Sequence, residues 1–61
     1  MPVVFIEWYA GRTKQQKVEL AKRITNDFVE VAGVAPEAVQ IVYRDAQKEN
    51  WAIGGILSSE R

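Results

Sequence analysis

Sixty-one residues suffice for one small domain, and a chain of this length buries only about 60% of the surface its unfolded form exposes. Eight basic residues balance eight acidic ones, which removes the electrostatic case for a nucleic acid or an anionic membrane as partner. The absence of cysteine and histidine removes disulfide and zinc staples, so oligomerisation is the remaining source of stability.

The hydrophobic share of 48% is enough for a core, and 26% charged residues fit an ordered, soluble protein. No apolar run approaches the roughly 20 residues of a membrane-spanning helix. The start of the chain lacks the charged and apolar segments of a secretion signal, so a cytoplasmic location is expected.

The first nine residues, Met1 to Tyr9, read as a strand. Val3, Val4, Phe5, Ile6, Trp8 and Tyr9 are apolar, β-branched or aromatic. Pro2 is tolerated at the head of a strand, where its missing N–H breaks no ladder bond. Were Met1 removed, the ring nitrogen of Pro2 would become a secondary amine, the one unusual base available to this chain.

Ala10-Gly11 interrupts the strand pattern, and Thr13 with Gln16 three positions on forms a capping-box signature. A long helix is expected from Lys14, with Val18, Ala21, Ile24, Phe28 and Val31 as its apolar stripe and Leu20, Val29 and Ala32 widening it. Lys14, Lys17, Lys22 and Arg23 read as a solvated face. Gly33 supplies the stop, and Pro36 prevents continuation.

Val39 to Arg44 forms a second strand, with Val39, Ile41 and Tyr43 on one face and Gln40, Val42 and Arg44 on the other. Asp45 to Asn50 reads as a polar loop. Trp51 to Leu57 reads as a short hairpin turning at Gly54-Gly55, and Ser58 to Arg61 as a frayed tail. No repeat or linker divides the chain, so residues 1–61 form a single domain.

Strand, helix and strand make an α/β unit, βαβ with parallel strands and a right-handed crossover. One helix covers one sheet face, and parallel sheets are normally covered on both. The expected solution is a dimer with a four-stranded sheet and two helices, open to further assembly.

With Pro2 after the first methionine, Gly11-Arg12-Thr13 and Gln16-Lys17 at the helix start, Ala35-Pro36 before the second strand and Trp51-Ala52-Ile53-Gly54-Gly55 near the end, the sequence resembles the 4-oxalocrotonate tautomerase family. The resemblance spans nearly the whole chain. It implies a homohexamer, a trimer of βαβ dimers, in which an amino-terminal proline is the general base of a cofactor-free tautomerase. Its substrates would be 2-hydroxy-dienoate or enol-keto acids such as 2-hydroxymuconate. Pro2 matches the catalytic proline, Arg12 the arginine that binds a substrate carboxylate, and Trp51 the aromatic wall of the pocket.

Two departures stand out. Where the family's namesake carries a second arginine, this chain has Gln40, with Arg44 four residues on along the same face. Arg44 reads more readily as a structural ion-pair partner than as a substrate ligand. Ala52 and Ile53 stand where the dehalogenase relatives need an acidic residue. A non-catalytic scaffold or small-acid-binding module of the same fold, and a hydratase-like dehalogenase or decarboxylase, are the alternative readings.

Overall fold

The computed structural model of the protein describes residues 2–61. Met1, on whose removal a free Pro2 amine depends, lies outside the described residues. Strand β1 spans Val3–Tyr9 and pairs in parallel with β2, Gln40–Ala46, through the crossover helix α1, Lys14–Ala32.

Local chemistry sets both ends of α1. Thr13 is extended, its Oγ1 accepts the Gln16 N–H at 3.1 Å, and Gln16 Oε1 accepts the Thr13 N–H at 2.9 Å. Two backbone donors that the first turn would leave unpaired are thereby satisfied. At the other end Gly33 adopts a φ of 69°, a left-handed value open to glycine, and its N–H donates to Val29 O at 3.1 Å.

The helix presents Leu20, Ala21, Ile24, Phe28 and Val29 as its half-buried side. Three residues expected on that side lie elsewhere, since Val18 is 40% exposed, Val31 is 87% exposed and Ala32 is exposed as well. Nineteen helical residues extend about 28 Å, whereas a seven-residue strand covers only about 23 Å, so α1 outruns the sheet it covers.

β2 begins one residue later and ends two residues later than the sequence pattern implies. Asp45 and Ala46, expected in a loop, pair with Trp8 and Tyr9. Asp45 extends the strand because its carboxylate finds partners within the fold. It accepts from Trp8 Nε1 and from Lys17 Nζ, each at 2.6 Å. Before β2, residues Pro36–Ala38 form a single 3₁₀ turn.

Alternation sorts the side chains by face. Val4, Ile6, Trp8, Ile41 and Tyr43 share the half-buried side, and the Tyr43 hydroxyl donates to the Lys17 carbonyl at 2.8 Å. Val3, Phe5, Glu7, Gln40, Val42 and Arg44 share the opposite face, where Phe5 remains 55% exposed and Val3 45%.

Strands β3, Ala52–Ile53, and β4, Ile56–Leu57, form the hairpin, with Gly54 and Gly55 at φ values of 61° and 82°. Positive φ at both central positions is what a type I′ turn requires. The last residues are not frayed. Ser58–Glu60 make a 3₁₀ turn, and Ser58, 7% exposed, is the one buried residue among those described. Its Oγ lies 2.6 Å from the Tyr9 hydroxyl, its N–H donates to Trp51 O at 2.7 Å, and Arg61 donates to Ile53 O at 3.0 Å.

No apolar residue among those described is buried. The radius of gyration, 14.7 Å, exceeds the roughly 10 to 11 Å of a compact domain of this length. The sheet face bearing Phe5, Val3 and Val42 lacks a cover among the described residues. We predict that the protein folds only as an oligomer: on serial dilution, helical circular dichroism and sedimentation mass should fall together. A folded, compact monomer at micromolar concentration would contradict this.

Asp45 provides a pH prediction. Hydrogen bonds from Lys17 and then Trp8 hold its carboxyl below the ordinary value of 3.8. The folded protein thus favours the ionised form. This contribution is complete above the unfolded value and is lost as pH falls through the lower folded value. Asp45→Asn should flatten the acid side of the stability curve, measured as urea midpoints from neutral pH downward. Parallel acid profiles for the two proteins would show that Asp45 contributes nothing.

Candidate active site

The five residues singled out in the sequence do not converge on one place in a single chain. Pro2 sits half-buried directly ahead of β1, and its carbonyl accepts the Gln40 N–H at 2.9 Å. This bond joins the heads of the two parallel strands. Pro2 and Gln40 are therefore neighbours through their backbones, while the Gln40 side chain belongs to the open face.

Arg44 lies farther along that face. Its guanidinium stacks over the Phe5 ring at 4.5 Å and reaches Glu7 Oε1 at 3.4 Å, an exposed ion pair. Such a pair contributes little to stability. It does occupy the arginine with an acidic neighbour.

Arg12 and Trp51 belong to the other end of the sheet. Gly11, at a φ of 126°, turns the chain after β1, and Arg12 then places its guanidinium 5.1 Å from the centre of the Trp8 ring. This is the helix side. Trp51 lies by Tyr9, meeting that ring edge-on with centroids 4.9 Å apart at 64°. The Tyr9–Ser58 hydrogen bond and the Ser58 N–H on Trp51 O hold the aromatic pair in place.

Pro2 and Arg12 are thus separated by the whole of β1, about 23 Å at 3.3 Å per residue. One chain cannot close a pocket around both. Any site that uses the proline as base and the arginine as anchor must draw them from different copies.

An open concavity of about 290 Å³ adjoins Arg12, lined by Trp8, Gln16, Glu19, Leu20 and Arg23 as well. Among the four arginines, Arg23 pairs with Glu19 at 3.0 Å, Arg44 with Glu7, and Arg61 with the Ile53 carbonyl. Arg12 alone makes no hydrogen bond or ion pair with the described residues. Arg12 is exposed at the edge of the concavity.

Sequence reasoning missed the surroundings of Arg12. Trp8 read as one more strand residue and Asp45 as part of a loop. The available signal was the alternation of Val4, Ile6 and Trp8, which puts the indole on the helix side four residues before Arg12. Among the described residues no group of three His, Cys, Asp or Glu side chains is placed to hold a metal ion. No helix there is long and apolar enough to cross a membrane.

Comparison with known proteins agrees with this architecture. Residues 2–61 match the family model for the tautomerase enzymes. A probable tautomerase of Ralstonia nicotianae is 33% identical over 60 residues, covering 98% of this chain and 92% of the relative. The 2-hydroxymuconate tautomerase of Comamonas testosteroni is also 33% identical, covering 98% and 95%.

Among solved structures, a 4-oxalocrotonate tautomerase homologue superposes with a TM-score of 0.92 at 30% identity, covering 100% of this chain and 97% of its own. A heterohexameric 4-oxalocrotonate tautomerase from Chloroflexus aurantiacus gives a TM-score of 0.86 at 27% identity, covering 98% and 97%. With its βαβ core, its terminal hairpin and a family match over all but the first residue, the chain belongs to the 4-oxalocrotonate tautomerase family of the tautomerase superfamily.

Proposed function

We propose that the protein is a cofactor-free tautomerase of small 2-hydroxy-dienoate or enol-keto acids, with Pro2 as general base and Arg12 as carboxylate anchor. The observation that carries this reading is the free guanidinium of Arg12 in a chain of this family whose second residue is proline. The name of the Comamonas testosteroni relative supports the substrate class.

The chemistry requires removal of Met1, which turns the Pro2 amide nitrogen into a secondary amine. A general base works best with a pKa near ambient pH, and a prolyl amine in water is too basic. Apolar surroundings and a nearby cation both disfavour its protonated form. An Arg12 from a neighbouring copy supplies that cation, and Trp51 of an adjoining chain supplies the apolar wall. The neutral amine takes the proton of the 2-hydroxyl, electron density shifts along the conjugated system, and the same nitrogen returns the proton to carbon. Arg12 holds the carboxylate through paired N–H donors and fixes the reacting atoms.

We assign the assembly as a homohexamer, the arrangement of two βαβ units per dimer and three dimers that covers the open sheet face. The hexameric relative from Chloroflexus aurantiacus supports this number. Gln40 stands on the open face near the Pro2 end, where an amide can hydrogen-bond a substrate oxygen but adds no charge. A single-carboxylate substrate is then as well served as a dicarboxylate. Arg44, held by Glu7 and Phe5, is assigned to structure rather than to substrate.

Pro2→Ala should lose most activity while retaining the fold. Arg12→Ala should lower kcat/KM by about 100-fold, corresponding to the roughly 2 to 3 kcal/mol of a charged hydrogen-bonded partner. The wild type should process phenylenolpyruvate or 2-hydroxypentadienoate about as well as 2-hydroxymuconate, and Gln40→Arg should favour the dicarboxylate. The measurement is kcat/KM for each protein and substrate, after intact mass has established loss of Met1. A wild type that strongly prefers the dicarboxylate would contradict the role given to Gln40. Inactivity toward every enol acid, in assembled protein with Pro2 free, would favour the scaffold reading.

A further inference from the structure

Arg12 has a dedicated support. Its guanidinium lies 5.1 Å from the centre of the Trp8 ring, within the distance at which a cation is attracted to an aromatic face. The indole in turn is fixed on two further sides. Its Nε1 donates to Asp45 Oδ1 at 2.6 Å, and its rings stack on Tyr43 with centroids 5.4 Å apart and 14° between planes. Tyr43 is tied to the helix backbone through its bond to Lys17 O. A continuous set of contacts therefore runs from α1 through Tyr43 and Trp8 to Arg12.

The same arrangement keeps Arg12 unpaired. Asp45 is close enough for its charge to sense Arg12, and a direct ion pair would mask the guanidinium. Both carboxylate oxygens are instead engaged, Oδ1 by Trp8 and Oδ2 by Lys17 at 2.6 Å. A cation held by a π face uses none of its N–H donors on a hydrogen-bond acceptor, so those of Arg12 are left for another partner. Those donors are what a carboxylate binds.

We propose that Trp8 is the positioning residue for Arg12, an indole shelf locked by Asp45 and Tyr43 that holds the guanidinium over its ring and leaves its donors free for the substrate carboxylate. The proposal rests on the reading of Arg12 as carboxylate anchor. Trp8 need not touch the reacting atoms. Its contribution is expressed through Arg12, and it vanishes when Arg12 is absent.

A double-mutant cycle on the assembled enzyme tests this, with a mono-carboxylate enol acid as substrate. Trp8→Leu removes the face and should lower kcat/KM by about 10-fold, through KM with kcat within about 2-fold, while Trp8→Phe keeps a face and should cost only about 3-fold. In an Arg12→Ala background either Trp8 substitution should add less than about 2-fold. Equal losses in both backgrounds, or a fall in kcat at unchanged KM, would overturn the shelf while leaving Arg12 as anchor. An Arg12→Ala enzyme with unchanged kcat/KM would overturn the anchor and the shelf with it. Should Trp8→Leu fail to assemble, Trp8→Phe carries the cycle, since full additivity with Arg12→Ala contradicts the proposal equally.

Discussion

A two-stranded parallel sheet has two faces, and this chain supplies one helix. α1 half-buries one side, while Val3, Phe5 and Val42 are left on the other at 39% to 55% exposure. No other element among the described residues is long enough to cover them, because the hairpin strands have two residues each and the last turn is engaged with Tyr9 and Trp51. At about 25 cal/mol for each Å² of apolar surface removed from water, covering that face is a large part of the stability available to so short a chain. Folding and association are on this account one process.

The same constraint governs the chemistry. A parallel βαβ unit places the start of β1 and the start of β2 together, and sends the loop into α1 to the opposite end. Pro2 and Arg12 fall at those two ends by topology, whatever their side chains do. A proton-transfer site built from both is therefore a property of the assembly. On the proposed reading its precision depends on how firmly each copy holds its own half, and the Asp45–Trp8–Tyr43 contacts belong to the half that carries Arg12.

What the sequence disclosed and what it concealed divide along the range of the interactions. The helix start and stop were legible because Thr13, Gln16 and Gly33 act on backbone groups within four residues. The hairpin was legible because Gly54-Gly55 carries its own turn geometry. The end of β2 was not, since Asp45 enters the strand by virtue of partners 37 and 28 positions away in Trp8 and Lys17. The tail misled for the same reason, with Ser58 bonded to a tyrosine 49 positions earlier. In the site, residue type named Pro2 and Arg12 as candidates, but the freedom of Arg12 became visible only once the other three arginines were seen to be occupied. Helical periodicity misassigned Val31 because it reports a direction and not how far the sheet extends beneath.

The central claim, that catalysis requires Pro2 and Arg12 from different copies, is tested most directly by mixing. Processed Pro2→Ala and Arg12→Ala chains, each nearly inactive alone, are unfolded together and refolded as mixed oligomers, and kcat/KM is measured against the mixing ratio. Sites that combine an intact Pro2 from one variant with an intact Arg12 from the other should restore activity, reaching about a quarter of the wild-type level at an equal mixture if copies assort at random and each site takes one of each residue. Activity that never exceeds the weighted sum of the two variants would contradict the account, placing both groups in the same chain or removing one of them from the reaction.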